Sequence, residues 1–260
     1  MNSLSIPVFQ LFPQSHKVRP LKGLYLAHDL RALSAQEAPL VYTNFVGSLD
    51  GRIALPVAST GVHQVPPMVA NPRDWRLYQE LAAQADVLIT SGRYIRDLAH
   101  GQAQALLGLS EAPEHADLHA WRAERGLSAQ PAIAIVSASI DLPIPDSMLG
   151  GPQPLYLITS ASAPAHKLKG LEPRGVRIVR AGEGAAVDGR SMVRALADLG
   201  FNCIYSTAGP RVLATLLQSH CLQRLYLTTS LQVLGGSTFD TLLTGPEQHP
   251  PARFRLISLS

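Results

Sequence analysis

Cysteine is nearly absent from this 260-residue chain: Cys203 and Cys221 are the only two, each in an apolar context. That argues against a disulfide scaffold and against a zinc site built from thiolates, and no metal is expected. Charge is also sparse. Charged residues make up 16% of the chain, and the net charge of +3 comes from scattered arginines, so nucleic acid is not implied. A slight positive balance favours an anionic ligand only weakly. No apolar run approaches the ~18 residues of a membrane span, and the first residues lack a charged region followed by an apolar one. No membrane partner and no signal peptide are therefore expected, and a cytoplasmic protein is the default. There is no internal repeat, and no G-x-S-x-G elbow surrounds Ser48 to make it a nucleophile.

What is present is enough apolar residue, 46%, to bury a real core. Residues 1–39 mix apolar patches with prolines and charges and read as an arm with one short strand. From Leu40 the pattern becomes α/β and continues to residue 260. Strands are expected at 40–46, 86–90, 132–137, 155–159, 176–179, 202–206 and 224–229. Helices are expected at about 71–85, 114–125, 189–199 and 210–219. Asn71-Pro72 is a helix cap with proline in the first turn, and Gly200 closes the third helix. Residues 99–131 form a longer insertion. Short continuous apolar strands alternating with helices argue for a largely parallel sheet covered on both faces, and 202–229 reads as a compact strand–helix–strand unit.

Two junctions carry chemistry. In VYTNFVGSLDGRIA (41–54), a β-prone run stops at Ser48-Leu49-Asp50-Gly51. Small and acidic residues then lie at a sheet edge, where ligands of α/β folds bind. The same residues also make an ordinary turn, with Asp50 orienting Arg52 and the Gly47 backbone. In Ser206-Thr207-Ala208-Gly209-Pro210, a buried strand passes into a helix. Gly209 permits close backbone approach, and a helix start attracts phosphate. The stretch is neither a G-x-G-x-x-G turn nor a P-loop, and a plain tight turn is the alternative. Leu234-Gly235-Gly236-Ser237-Thr238 is a further small-residue loop after a strand, which admits a ligand or makes a turn.

In this order, SLDGR, RDWRLYQELAAQADVLITSGRYIRD (73–97) and TAGPRVLATLLQSHCLQRLYLTTSLQVLGG (207–236) resemble the riboflavin-pathway pyrimidine reductases, that is, the C-terminal reductase domain of RibD and its stand-alone relatives. The resemblance covers about residues 40–243. It implies a dihydrofolate-reductase-like α/β fold, with a central, mostly parallel mixed sheet flanked by helices on both faces. It also implies a homodimer, NADPH as cofactor, and hydride transfer to ribose C1′ of a phosphoribosylaminopyrimidine through a ring-opened imine. On this resemblance Val46, Gly47 and Ser48 line the nicotinamide, and Thr90, Ser91, Gly92 and Tyr94 lie along the cofactor. Ala208, Gly209, Pro210, Arg211, Val212 and Leu213 hold the pyrophosphate. Ser137, Ser139 and Ser160 reach the adenosine side. Lys167 or Lys169 meets a 2′-phosphate or is a solvated surface residue.

Asp97 takes the place of the loop's acidic residue, and with Asp50 it is a candidate acid–base carboxylate. Asn44, His63 and Thr207 fall at substrate positions. The chain departs from the family where Thr207 replaces a Glu, where Tyr94 replaces a Thr and would crowd the cofactor path, and in its arm. A hydroxyl does not match a carboxylate as an acceptor, so a same-fold reductase of another heterocycle, pterin-like, and a nucleotide binder without catalysis stand as alternatives. The zinc motifs of the companion deaminase, H-x-E and P-C-x-x-C, do not occur. His115 and His119 have helical metal spacing, but nothing completes a site, so a solvent-facing pair is expected.

Overall fold

The computed structural model describes residues 6–14, 17–36, 39–103 and 106–260. The arm's positions 1–5, 15, 16, 37 and 38, and 104–105 of the insertion, lie outside the described residues. The arm holds two strands rather than one, β1 (Val8–Gln10) paired antiparallel with β2 (Lys17–Arg19), and a helix α1 (Leu30–Gln36). The remaining elements are, in order, β3 (Leu40–Ser48), the ribbon β4 (Leu55–Pro56) with β5 (His63–Gln64), α2 (Pro72–Gln84), β6 (Val87–Ser91) and α3 (Gly92–Ala99). Then come α4 (Ala116–Glu124), β7 (Ala132–Val136), β8 (Leu155–Thr159), α5 (Ala165–Leu168), β9 (Val176–Arg180) and α6 (Gly189–Asp198). The last elements are β10 (Cys203–Ser206), α7 (Pro210–Gln218) and β11 (Arg224–Ser230).

Seven strands form one sheet in the order β11-β3-β10-β6-β7-β8-β9, and every pairing in it is parallel. The strand–helix–strand unit is therefore not a pair of neighbours: β3 lies between β10 and β11. The seven expected sheet strands and four expected helices are all found, within one or two residues at their ends. Beyond the expected set is α3, which occupies the stretch that resembles a nucleotide-contacting loop.

Strand alternation sorts β3 into two faces. Tyr42 and, in register with it, Tyr205 pack with Leu77 and Leu81 of α2. Asn44, paired with Tyr226, and Val46, paired with Thr228, continue the same face toward the carboxyl end. The opposite face carries Val41 and Ile204 against Val193, Leu196, Val212 and Leu216 of α6 and α7. The sheet is thus covered on both sides, which is why β7 and β8 read as unbroken apolar runs.

The arm is fastened to α2. The Glu80 carboxylate accepts from the amides of Gly23, Tyr25 and Leu26 at 2.6, 2.8 and 3.2 Å. Gln84 accepts from the Leu30 amide and donates to the Tyr25 carbonyl. The expected solvent-facing histidine pair is not found. His115 is 2% exposed, set edge-on to Trp75, and burial with the nearby Arg76 holds its imidazole below the usual range. His119 is instead half-exposed and within 3.0 Å of the Ser110 carbonyl. Among the described residues no group of His, Cys, Asp or Glu is placed to hold a metal, and no helix is long and apolar enough to cross a membrane.

Candidate active site

Strands β3, β6, β10 and β11 run in the same direction, so their carboxyl ends form one rim. At its centre β10 ends in Ser206, and the chain enters α7 through Thr207, Ala208 and Gly209. No side chain caps this helix, whose N-cap is Gly209. A Cβ built on Gly209 meets nothing within 4 Å, and its φ of −73° suits any residue. The space above the helix start is therefore open, and the helix dipole makes it favourable for an anion. Pro210 starts the first turn and Arg211 is exposed beside it, while Ala208, Val212 and Leu213 are buried and anchor the turn.

The turn after β3 is latched to the loop after β11. Asp50 accepts from the Ser48 hydroxyl, from the amides of Leu234 and Gly235, and pairs with Arg52 at 2.7 Å. Arg52 also donates to the Gly236 carbonyl and stacks over Phe239 at 4.3 Å. The Ser48 and Gly235 bonds, ahead of the Arg52 charge, pull the Asp50 carboxyl down to about 2. A carboxylate so engaged is a poor proton acceptor, and the geometry favours the turn-forming reading of Asp50 over the acid–base one. Gly47 leaves little room at this turn: a Cβ there would stand 3.3 Å from Ile53 and 3.4 Å from the Arg52 carbonyl.

Asp240 sits just beyond the latched loop and gathers several side chains. Its backbone bonds Ile53 and Ala54. Its carboxylate lies 3.1 Å from His63 Nδ1, in a contact not aligned as a hydrogen bond, and 3.7 Å from Arg93. Arg93 in turn approaches Asp97 at 3.8 Å, one turn along α3. His63 and Asp97, named separately from the sequence, thus meet in one cluster through Arg93 and Asp240, which the sequence reading missed. Arg93 lies inside the 73–97 stretch without a role being assigned to it, and Asp240 lies beyond the last of the three stretches.

The β6 rim is less open. Ser91 caps α3 by accepting from the Tyr94 amide. Gly92 is demanded by packing, since a Cβ there would come within 2.8 Å of Ser137 Oγ and 2.9 Å of Leu142. Thr90 and Ser137 are buried, as is Ser160, whose hydroxyl lies 3.3 Å from that of Ser162. Tyr94 packs beside the cluster of Ile95, Ile133 and Leu142, and its hydroxyl accepts from the Leu106 amide. Lys167 donates to the Ser139 carbonyl.

The face toward α2 forms an inner wall. The Tyr205 hydroxyl donates to Asn44, and its ring lies 5.5 Å from that of Tyr78, which stacks on Trp75 at 4.9 Å. The Tyr78 hydroxyl donates to the Leu106 carbonyl at 2.8 Å and lies close to Thr207, whose hydroxyl donates to the Ile89 carbonyl. Burial drives the phenols of Tyr78 and Tyr205 above their ordinary value. Asp74, one turn before Tyr78, lies close to Thr228 of β11, which favours its carboxylate against the cost of burial. Its Oδ1 is buried with no hydrogen-bond partner among the described residues.

A family model described as the RibD C-terminal domain matches residues 39–260. The chain belongs to the RibD C-terminal domain family. That is a reductase family, and the membership agrees with the resemblance carried by SLDGR and TAGP. Among solved structures, a pyrimidine reductase-like protein of Corynebacterium diphtheriae aligns with a TM-score of 0.56 at 20% identity, over 77% of each chain. Two forms of Acinetobacter baumannii RibD align at 0.59 with 16% and 17% identity, over 86% and 85% of this chain. At such identities these likenesses speak to fold. The chain covers 55% and 54% of the two RibD chains, about half their length. The curated proteins contain no match.

Proposed function

We propose that this RibD C-terminal family member is an NADPH-dependent reductase of a phosphoribosylaminopyrimidine in riboflavin biosynthesis. The observation that supports this most is the uncapped start of α7, open at Gly209 and placed at the centre of the strand rim. Residues 208–213 would hold the cofactor's diphosphate there. Val46, Gly47 and Ser48 would flank the nicotinamide, and Thr90, Ser91, Gly92 and Tyr94 would border the cofactor. Ser137 and Ser160 would stand toward its adenosine end. When bound, NADPH supplies the hydride that reduces ribose C1′. The chain's own residues position and exclude water. Asp50 fixes the β3 turn, so the Ser48 backbone is held before any ligand arrives. Asn44, Thr207 and His63 would face the substrate. Asp97, beside Arg93, would be the carboxylate on the open side of the site.

A second reading is a same-fold reductase of another heterocycle. It is favoured by Thr207, whose hydroxyl is already committed to the Ile89 carbonyl. An NADPH-oxidation assay with the aminopyrimidine phosphate and with pterins separates the two. Oxidation with the first supports the proposal, and oxidation only with the second supports the alternative. Binding of NADPH without oxidation by either would favour a binder without catalysis.

We also propose a homodimer. β11 is an edge strand with Leu227 exposed. The arm and the C-terminal segment meet at a Phe12–Leu259 bridge, where Phe9, Leu11, Leu256 and Ile257 are also exposed. Apolar exposure of this kind marks association surfaces. Light scattering of a purified sample tests it: twice the 27.9 kDa chain mass is expected, and a monomer at high concentration would refute it.

A further inference from the structure

We propose that Asp74 is a substrate-recognition residue, whose half-buried carboxylate accepts N–H donors of the substrate's heterocycle in place of the carboxylate that Thr207 does not provide. The inference rests on the reductase reading given above. Its physical basis is the wall that α2 presents to the sheet. Asp74 and Tyr78 are four residues apart on one helix and so stand on one face. Tyr78 reaches Thr207 on one side, and Asp74 reaches Thr228 on the other. β10 and β11 approach the rim here, with Asn44 of β3 between them and bonded by Tyr205 of β10. A carboxylate therefore stands on the same helix wall as the residue that faces the family's missing Glu, one helical turn away and among aromatic rings suited to a flat heterocycle.

Helix capping does not explain Asp74. Asn71 already performs that task, accepting from the amides of Arg73 and Asp74 at 3.0 Å each. Nor does packing explain it, since a buried carboxylate oxygen without a partner costs stability. Burial holds the Asp74 carboxyl above its ordinary range, so its ionised form is costly here despite its favourable place in the first turn of α2. Such a group persists where a ligand completes it.

The test compares wild type, Asp74→Asn, and Asp74→Asn combined with Thr207→Glu. It uses steady-state kinetics on the aminopyrimidine phosphate, NADPH fluorescence titration and thermal unfolding. For Asp74→Asn, KM should rise at least tenfold, NADPH affinity should stay within twofold, and Tm should increase by roughly 2–4 °C. The double variant should recover much of the lost KM, because a carboxylate again faces the substrate. An unchanged KM in Asp74→Asn, or an unchanged or lowered Tm, would overturn the proposal. If the wild-type protein binds NADPH but does not oxidise it with the aminopyrimidine, the substrate reading falls. The Tm comparison still decides whether Asp74 is held for a ligand.

Discussion

Asp74 and Glu80 lie within two turns of each other on α2, yet their carboxylates are treated in opposite ways. Glu80 is 0% exposed, and every direction around it is filled: Arg76 at 2.7 Å and three amides of the arm. Arg76 continues to Asp117 of α4. The same saturation holds at the amino end of the sheet. There Asp86 takes Arg31 and the amides of Asn202 and Cys203, and Arg122 donates to the carbonyls of Ala83 and Ala85. Asp74, toward the carboxyl rim, keeps one oxygen empty. Buried polar groups that are fully matched hold the fold; five buried side-chain atoms among the described residues are unmatched, on Arg52, His63, Asp74, His115 and Thr159, and Asp74 supplies the one carboxylate oxygen in that set.

The largest effect is expected at the saturated end. Glu80→Gln removes an acceptor from the arm and leaves Arg76 with one counter-ion fewer, so denaturant unfolding should show a loss of about 3–5 kcal/mol, as for other broken buried pairs. Survival of full stability would mean that the arm is not anchored by this carboxylate. At the open end the contrast is between fold and ligand. Gly209→Phe should weaken NADPH binding at least a hundredfold in titration while Tm stays within a few degrees, because the space around Gly209 accepts a side chain but a diphosphate would need it.

Smaller effects follow from protonation. The Asp50 carboxyl is depressed in the fold, so its contribution is complete above the unfolded value near 4 and is lost as pH falls toward about 2. Asp50→Asn removes that carboxylate at every pH, so tryptic cleavage after Arg52 should be faster than in the wild type at neutral pH; an equal rate would mean that Asp50 does not hold the turn. His115 is held neutral by burial and Arg76, so the fold loses stability as pH drops below about 6.5, where the unfolded imidazole takes a proton. In His115→Gln, the slope of Tm against pH between 7 and 5 should flatten. An unchanged slope would assign the acid sensitivity elsewhere, such as His28, whose value is also lowered by burial.

Much of the fold was legible because parallel strands buried on both faces are short, apolar and bounded by turns, as at 132–136 and 155–159. The Asn71-Pro72 cap located α2 to the residue. α3 was not legible, since its eight residues follow a strand without a loop and the resemblance suggested a loop there. The rim glycine and the SLDGR turn were found because backbone chemistry leaves a local trace. Arg93, Asp240 and Asp74 were not, because each acquires its meaning from a partner far along the chain: His63 for Asp240, Asp240 for Arg93, and Thr228 for Asp74. His115 was misjudged for the same reason, its burial being set by the packing of α4 against α2.

The reductase function requires a nicotinamide dinucleotide seated on the start of α7, and fluorescence titration of the wild-type protein with NADPH, beside Gly209→Phe, tests that most directly. Saturable binding by the wild type that the variant loses is the expected result. No binding by either, or equal binding by both, would contradict it.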